Sequence, residues 1–326
     1  MKVGYKMRYA TIDIGTNSMR LLLSEVRDNT FLERKKYVNT TRLGQGIDKS
    51  GFINDNSIKN NIESLKEFVD LSREYACEKI LCMGTAALRN AKNRDVFIKE
   101  AKLKLDVDVD VISGEEEALL GYTGVIGGIK IEDEAILIID IGGGSTEFIL
   151  GDQSEIFYRK SIDLGALSLS ERFFTSMPES EQELDKAKTH IERNVFSIVS
   201  DLKQIFESDK LSEKFDFKQL KLIGIGGTIT SVSAINQNLE VYSMEKVHSS
   251  VVKYSELKNQ IENIKSMNLN QRREIAALQK KRAEIILSGE LILESIMRSL
   301  NMKFIEISEF DNLEGLVLKN IQSKNI

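Results

Sequence analysis

The chain holds only two cysteines and two histidines in 326 residues. Cys77 and Cys82 are too few for a disulfide framework and read as small buried hydrophobes. His190 and His248 stand far apart and do not suggest a histidine metal site. Any metal used by this chain is therefore expected to be a hydrated, carboxylate-held Mg²⁺. Long hydrophobic runs are also missing, so no segment approaches a membrane span. The basic stretch Met1 to Arg8 leads into no apolar signal segment with a small-residue cleavage site, and the expected location is the cytoplasm. Positive charge is not in excess: the net charge is −5 and the pI near 5.5. That argues against general nucleic-acid binding while leaving room for a local basic groove. Proline occurs once, at Pro178, and no low-complexity linker is present.

What remains is ordinary for a soluble globular protein, with 41% hydrophobic and 29% charged residues. The length suffices for two domains with full cores. The most informative stretch runs from Ile139 to Leu150. An apolar run, Ala135 to Ile139, reaches Asp140-Ile141-Gly142-Gly143-Gly144-Ser145-Thr146-Glu147, and a second apolar run follows. This pattern predicts strand, tight turn, strand. Three glycines allow backbone N–H groups to converge without an obstructing Cβ, as phosphate oxygens require. Asp140 and Glu147 flank the turn and could hold a hydrated Mg²⁺; a hairpin with a flexible tip is the plainer alternative.

The same phrase occurs earlier. Ile12 to Leu23 aligns without a gap on Ile139 to Leu150, at an offset of 127 (139 − 12). A repeat on this scale predicts two domains of like topology rather than a solenoid. A third turn, Gly224-Ile225-Gly226-Gly227-Thr228, follows a strand-like run and opens a helix. Three such turns on one cleft would form a site for a polyphosphate chain.

Other residues carry chemistry or plainer roles. Ser113 and Glu116 form a capping box at a helix start. That leaves Glu117, a further 100° or so around the helix, as either a solvated acidic cap or a general base for water. Thr85 and Arg89 share one face of a helix start and could clamp an anion; a surface salt bridge is the alternative for Arg89, and Arg20 carries the same ambiguity. Lys280-Lys281-Arg282 reads as a solvated helix face that could instead line an anion groove. His248 reads as a satisfied structural histidine.

The periodicities predict strands at Tyr9–Ile14, Met19–Val26, Lys35–Arg42, Lys79–Met83 and Val107–Ile112. Helices are expected over Asp55–Tyr75, from Gly84, over Asn93–Leu105, and from Ser113 to about Val125, with a hinge at Gly127-Gly128. The second half repeats the plan from Ala135, with strands at 147–150, 156–161, 221–225 and 303–307. Its helices are expected at 168–174, 181–206, 254–266, 282–300 and 312–321.

Taken together the motifs resemble the exopolyphosphatase / guanosine pentaphosphate phosphohydrolase family. They run from Ala10-Thr11-Ile12-Asp13-Ile14-Gly15-Thr16-Asn17-Ser18, through Arg42 to Gly46, Gly84 to Arg89 and Ile112 to Ala118. They continue with Asp140 to Glu147, Leu164-Gly165-Ala166, Gly224 to Thr228, Val247-His248 and Arg282 to Ile286, and end at Leu313-Glu314-Gly315-Leu316. The resemblance implies an α/β fold of two ribonuclease-H-like domains, of the sugar kinase–actin–heat-shock chaperone ATPase superfamily, with an interdomain active-site cleft. The expected domains are 1–126 and 127–326, the last helix packing back on the first. It implies hydrolysis of terminal phosphoanhydride bonds of inorganic polyphosphate or of the 5′-γ-phosphate of guanosine pentaphosphate, with a homodimer as the expected assembly. Glu117 would be the general base, assisted by Arg89. Asn17, Ser18, Thr85, Gly143, Gly144, Ser145, Thr146, Gly226, Gly227 and Thr228 would hold phosphate, and Asp13, Asp140 and Glu147 would hold Mg²⁺. Leu313 stands where the family usually has arginine, and Glu284 where it has aspartate. An ATP-dependent small-metabolite kinase of the same superfamily is the alternative activity, and a non-catalytic nucleotide sensor or actin-like assembly protein is a third reading.

Overall fold

The computed structural model describes residues 6–132, 134–207 and 215–322. The chain divides into two units: the residues up to Gly127 together with those from Asp311 onward, and Gly128–Phe310. Each is built on one mixed sheet.

In the first unit, β1 (Met7–Ile14), β2 (Met19–Arg27) and β3 (Thr30–Asn39) form an antiparallel meander, and β4 (Lys79–Gly84) and β5 (Val109–Val111) extend it on the other side. The order is β3-β2-β1-β4-β5, with β4 parallel to β1 and β5 parallel to β4. In the second unit β6 (Ile136–Ile141), β7 (Thr146–Gly151) and β8 (Ile156–Ile162) repeat the meander, and β9 (Lys221–Ile225) and β11 (Phe304–Ile307) repeat the parallel side. Both units thus have the ribonuclease-H-like order. The second adds β10 (Val251–Lys253), antiparallel to β11 at the sheet edge. Three residues with one buried side chain are too short to show a strand period, so sequence patterning does not find β10.

Buried strands explain the apolar runs. Every residue of β6 and β7 is buried, as expected where helices cover both faces. The helix Glu181–Phe206 lays Leu184, Ala187, Ile191, Val195, Ile198 and Leu202 into the core of the second unit. In the first unit the helix Asp55–Glu74 does the same with Ile58, Ile62, Leu65, Phe68 and Val69.

The helix opening at Gly114 does not stop near Val125 but continues to Gly128. Gly127 and Gly128 are places of close approach instead of a break. A Cβ on Gly127 would strike Leu318, and one on Gly128 would strike Phe310. The expected helix from Arg282 is likewise corrected. Lys280–Glu284 is a tight 3₁₀ turn, and the helix proper is Ile286–Ser299. The third strand lies at Thr30–Asn39 rather than Lys35–Arg42, set by its pairing with β2.

The returning segment from Asp311 is fastened to β1 and β2 by both core and charge. Leu313 is fully buried with Tyr9 and Leu22, and its carbonyl accepts the Thr11 hydroxyl at 3.1 Å. An arginine would be costly in that apolar pocket. Glu314, also fully buried, binds Arg34 at 2.9 Å and Lys36 at 3.1 Å.

The core of the second unit contains one costly carboxyl. Glu290 is fully buried; Gln260 donates to its Oε1 at 2.6 Å, while Oε2 has no hydrogen-bond partner. Burial pushes its carboxyl up to about 8, against the opposing pull of Gln260 and Arg272. It is protonated at neutral pH. Its favourable contribution is complete below the unfolded value of 4.5 and is lost as pH rises through about 8. Glu290→Gln should remove that loss, gaining on the order of 2–4 kcal/mol over wild type by pH 8 and little at pH 4.5. Denaturant unfolding across this pH range measures it, and a pH-independent difference would contradict it.

Candidate active site

The duplicated phrase becomes a duplicated turn. Gly15 N–H donates to Ser18 O at 3.1 Å, and at the equivalent place Gly142 N–H donates to Ser145 O at 2.9 Å. The turn carbonyls are taken by neighbouring backbone. Thr16 O accepts Gly44, and Asn17 O accepts Thr41 and Arg42; in the second unit Gly142 O accepts Ala166, and Gly143 O accepts Leu167 and Ser168. Among the described residues, the N–H groups of Thr16, Asn17, Gly143 and Gly144 have no protein acceptor. Fixed carbonyls and unspent amides are what an anion cradle needs. Around them Asn17, Ser18, Ser145 and Thr146 are buried. Asn17 Nδ2 donates to Ser18 Oγ at 3.0 Å, Ser145 Oγ donates to Glu147 at 2.7 Å, and Thr146 Oγ1 donates to Leu164 O.

The two turns differ in charge. Across β1 and β2, Asp13 faces Arg20; at the equivalent pair across β6 and β7, Asp140 faces Glu147. Arg20 Nη2 binds Asp13 Oδ2 at 2.6 Å, and its Nη1 binds Asp311 at 2.9 Å. Burial would raise Asp311, yet Arg20 and Lys36 outweigh it and hold its carboxyl well below the usual range. Burial leaves the Asp13 carboxyl above its usual value despite Arg20. Asp13 Oδ1 carries no hydrogen bond. At the equivalent place in the second unit the register sets two carboxylates opposite one another. Asp140 and Glu147 are both buried, and Ser161 joins Ser145 in donating to Glu147 Oε1, also at 2.7 Å. Two hard oxygen donors side by side suit a Mg²⁺ that keeps several waters. No group of three or more His, Cys, Asp or Glu side chains with metal-binding arrangement occurs among the described residues. Asp13, already paired with Arg20, fits a metal less well.

The third turn ends β9. Gly226 has φ +81 and opens the helix Gly226–Asn236, which has no side-chain cap. Thr228 is buried. A Cβ on Gly226 would meet the Asp140 carboxylate, and one on Gly227 would meet the guanidinium of Arg282. Arg282 is only 7% exposed. The basic run Lys280 to Arg282 therefore contributes a buried cation against the turn, in place of the solvated face expected of it. Nothing in the run itself marks its third member as buried.

In the first unit, the capping box holds as expected. Ser113 N–H donates to Glu116 and Glu116 N–H to Ser113 Oγ, each at 3.1 Å. Glu117, one residue on, is 8% exposed and is no solvated cap. Its Oε2 accepts Arg89 Nη1 at 3.1 Å, and the same Nη1 donates to Ile112 O at 3.0 Å. The short helix Ala86–Asn90 brings Arg89 there, and Thr85, buried at its N-terminal edge, bonds through its carbonyl to Arg89 N–H at 2.9 Å.

Comparison with known proteins gives the family. A model of the Ppx/GppA phosphatase family matches residues 24–324. The chain belongs to that family. It is 34% identical to a bifunctional 3-dehydroquinate synthase/phosphatase of Fusobacterium nucleatum, covering 97% of this chain and 47% of that one. Thus it spans about half the length of that relative. It is 29% identical to exopolyphosphatase 2 of Mycobacterium tuberculosis, covering 95% of this chain and 98% of the other. Among solved structures, an exopolyphosphatase from Cytophaga hutchinsonii is 26% identical with a TM-score of 0.84, covering 97% and 98% of the two chains. No helix of the described residues is long and apolar enough to cross a membrane.

Gly226→Ala tests the third turn. A side chain at φ +81 is strained, and its Cβ would displace Asp140; the expected cost is about 1–3 kcal/mol of stability. Activity should fall more than tenfold in the fraction that remains folded. Unfolding curves and turnover measured on one preparation check both, and wild-type values would contradict the assignment.

Proposed function

We propose that the chain hydrolyses a terminal phosphoanhydride bond, with inorganic polyphosphate as the first substrate class and the 5′-γ-phosphate of guanosine pentaphosphate as the second. The observation that carries this reading is the state of Arg89. Only its Nη1 is committed, to Glu117 and Ile112 O; among the described residues Nε and Nη2 carry no protein hydrogen bond. An arginine placed so can orient a carboxylate with one nitrogen and grip a phosphoryl group with the others. The name of the mycobacterial relative, exopolyphosphatase 2, supports the substrate class.

In this reading Glu117 accepts a proton from water as the water oxygen attacks the terminal phosphorus. The bridging P–O bond breaks, and the shortened chain leaves with the bond's electron pair. In the first unit, charge on the phosphoryl oxygens is met by Arg89, the amides of Thr16 and Asn17 and the hydroxyl of Ser18; in the second unit, the amides of Gly143 and Gly144 offer a phosphate cradle of the same kind. Gly226, Gly227 and Thr228 hold a phosphate further along the chain, and Thr85 supports the Arg89 helix. Asp140 and Glu147 are the residues that would hold Mg²⁺, which when bound neutralises part of the substrate's charge. No acceptor other than water is required, which separates this reading from a kinase.

Glu117→Gln should lower kcat for phosphate release by about 10²-fold or more with KM little changed; turnover near wild type removes Glu117 from the base role. Arg89→Ala should raise KM as well as lower kcat, and an unaltered KM would refute the clamp. Chelation with EDTA should abolish release and added Mg²⁺ restore it, whereas full activity in EDTA would refute metal assistance.

A further inference from the structure

A cluster beyond β9 and β11 takes no part in the chemistry above. Tyr242 donates its hydroxyl to Glu309 Oε1, and the Thr230 hydroxyl lies near enough to pull the phenol pKa down. Thr230 stands on the helix opened by the Gly226 turn, and Glu309 lies two residues past the end of β11. Both are buried, at 9% and 3% exposure. Glu309 is itself held, since its N–H donates to His248 Nδ1 at 3.2 Å and His248 packs on the Phe310 ring at 5.4 Å. The positive charge of Arg282, which lies against Gly227, is felt at the Tyr242 hydroxyl. Burial, with the Glu309 carboxylate beside it, pushes the phenol well above its usual value and keeps it a neutral donor.

The other end of the side chain is different. Tyr242 remains 39% exposed and its neighbour Val241 80% exposed. An aromatic ring whose hydroxyl is anchored on a buried carboxylate has less rotamer freedom left to lose when a planar group stacks on it. It stands beside a turn whose amides and arginine suit phosphate. Such a turn reads charge alone, and charge is common to inorganic and nucleoside polyphosphates. Discrimination needs a contact of another kind.

We propose that Tyr242 is a stacking platform for a nucleobase beside the Gly226–Thr228 turn, and so a specificity-determining residue that gives a nucleoside polyphosphate affinity beyond what its phosphate chain supplies. This deepens the hydrolase reading and rests on it. The hydrogen bond from Tyr242 to Glu309 holds the hydroxyl end of the ring, and Glu309 is its positioning residue.

The test compares ligands with the same phosphate chain, with and without a nucleoside. Guanosine 5′-tetraphosphate and inorganic tetraphosphate are titrated calorimetrically into wild type, Tyr242→Ala and Tyr242→Phe. On the same preparations, kcat/KM is measured for guanosine pentaphosphate and a short polyphosphate. In Tyr242→Ala the ratio of nucleoside to inorganic affinity should fall about tenfold or more, the range that stacking on one aromatic ring supplies. The kcat/KM ratio should follow it through KM. Tyr242→Phe keeps the ring and should recover most of the ratio. Because each ratio is internal to one preparation, partial misfolding cancels. A ratio unchanged within about twofold in Tyr242→Ala overturns the inference, as does a wild type that binds the two ligands equally. A protein that shows the binding ratio yet releases phosphate from neither substrate supports the platform and refutes the hydrolase reading.

Discussion

The contact on which this account depends is the 3.1 Å ion pair between Arg89 and Glu117. A carboxylate buried to 8% exposure is stable only with a partner. Arg89 is that partner, and its backbone is set by the short helix after β4 while its Nη1 is also tied to Ile112 O before the next helix. The side chain of Glu117 thereby has one orientation, and Arg89 retains donors for an anion. The sheet order follows from the same need, because β4 and β5 deliver these two helices from adjacent strand ends.

Duplication supplied one scaffold and substitution gave it two electrostatic outcomes. Equivalent positions pair Asp13 with Arg20 in the first unit and Asp140 with Glu147 in the second. The first pair is part of a network in which Asp13, Asp311 and Glu314 meet Arg20, Arg34 and Lys36, fastening the returning segment. The second pair concentrates negative charge at the base of a turn with unspent amides. A buried acid pair is unfavourable by itself and favourable next to a cation. The first unit uses its pair for cohesion, and the proposed function gives the second pair to ligand chemistry.

Much of this was legible in the sequence because glycine and capping residues have local causes. The turn at Gly226 needs left-handed backbone that other residues resist, and the Ser113–Glu116 box marks its helix start whatever lies beyond. The repeat of Ile12 to Leu23 at Ile139 to Leu150 announced the shared topology. Legibility failed where long-range packing decides. Arg282 sits in a run of three cations that reads as solvated, and its burial depends on Gly227, 55 positions earlier (282 − 227). Tyr242 and Glu309 are 67 residues apart, and no period links them. Ser161 has no local mark, since only the β7–β8 register brings it to Glu147. Gly127 and Gly128 looked like a hinge because glycine has two uses, and only Leu318 and Phe310 reveal which one applies.

The central claim is that water, primed by Glu117, attacks the terminal phosphorus. Phosphate release from a short polyphosphate in ¹⁸O-water tests it most directly, by mass spectrometry of both products. The account predicts one ¹⁸O in each released orthophosphate, none in the shortened chain, and loss of this labelled product in Glu117→Gln. Label in the remaining chain, or release that proceeds only when a non-water acceptor is supplied, would contradict it.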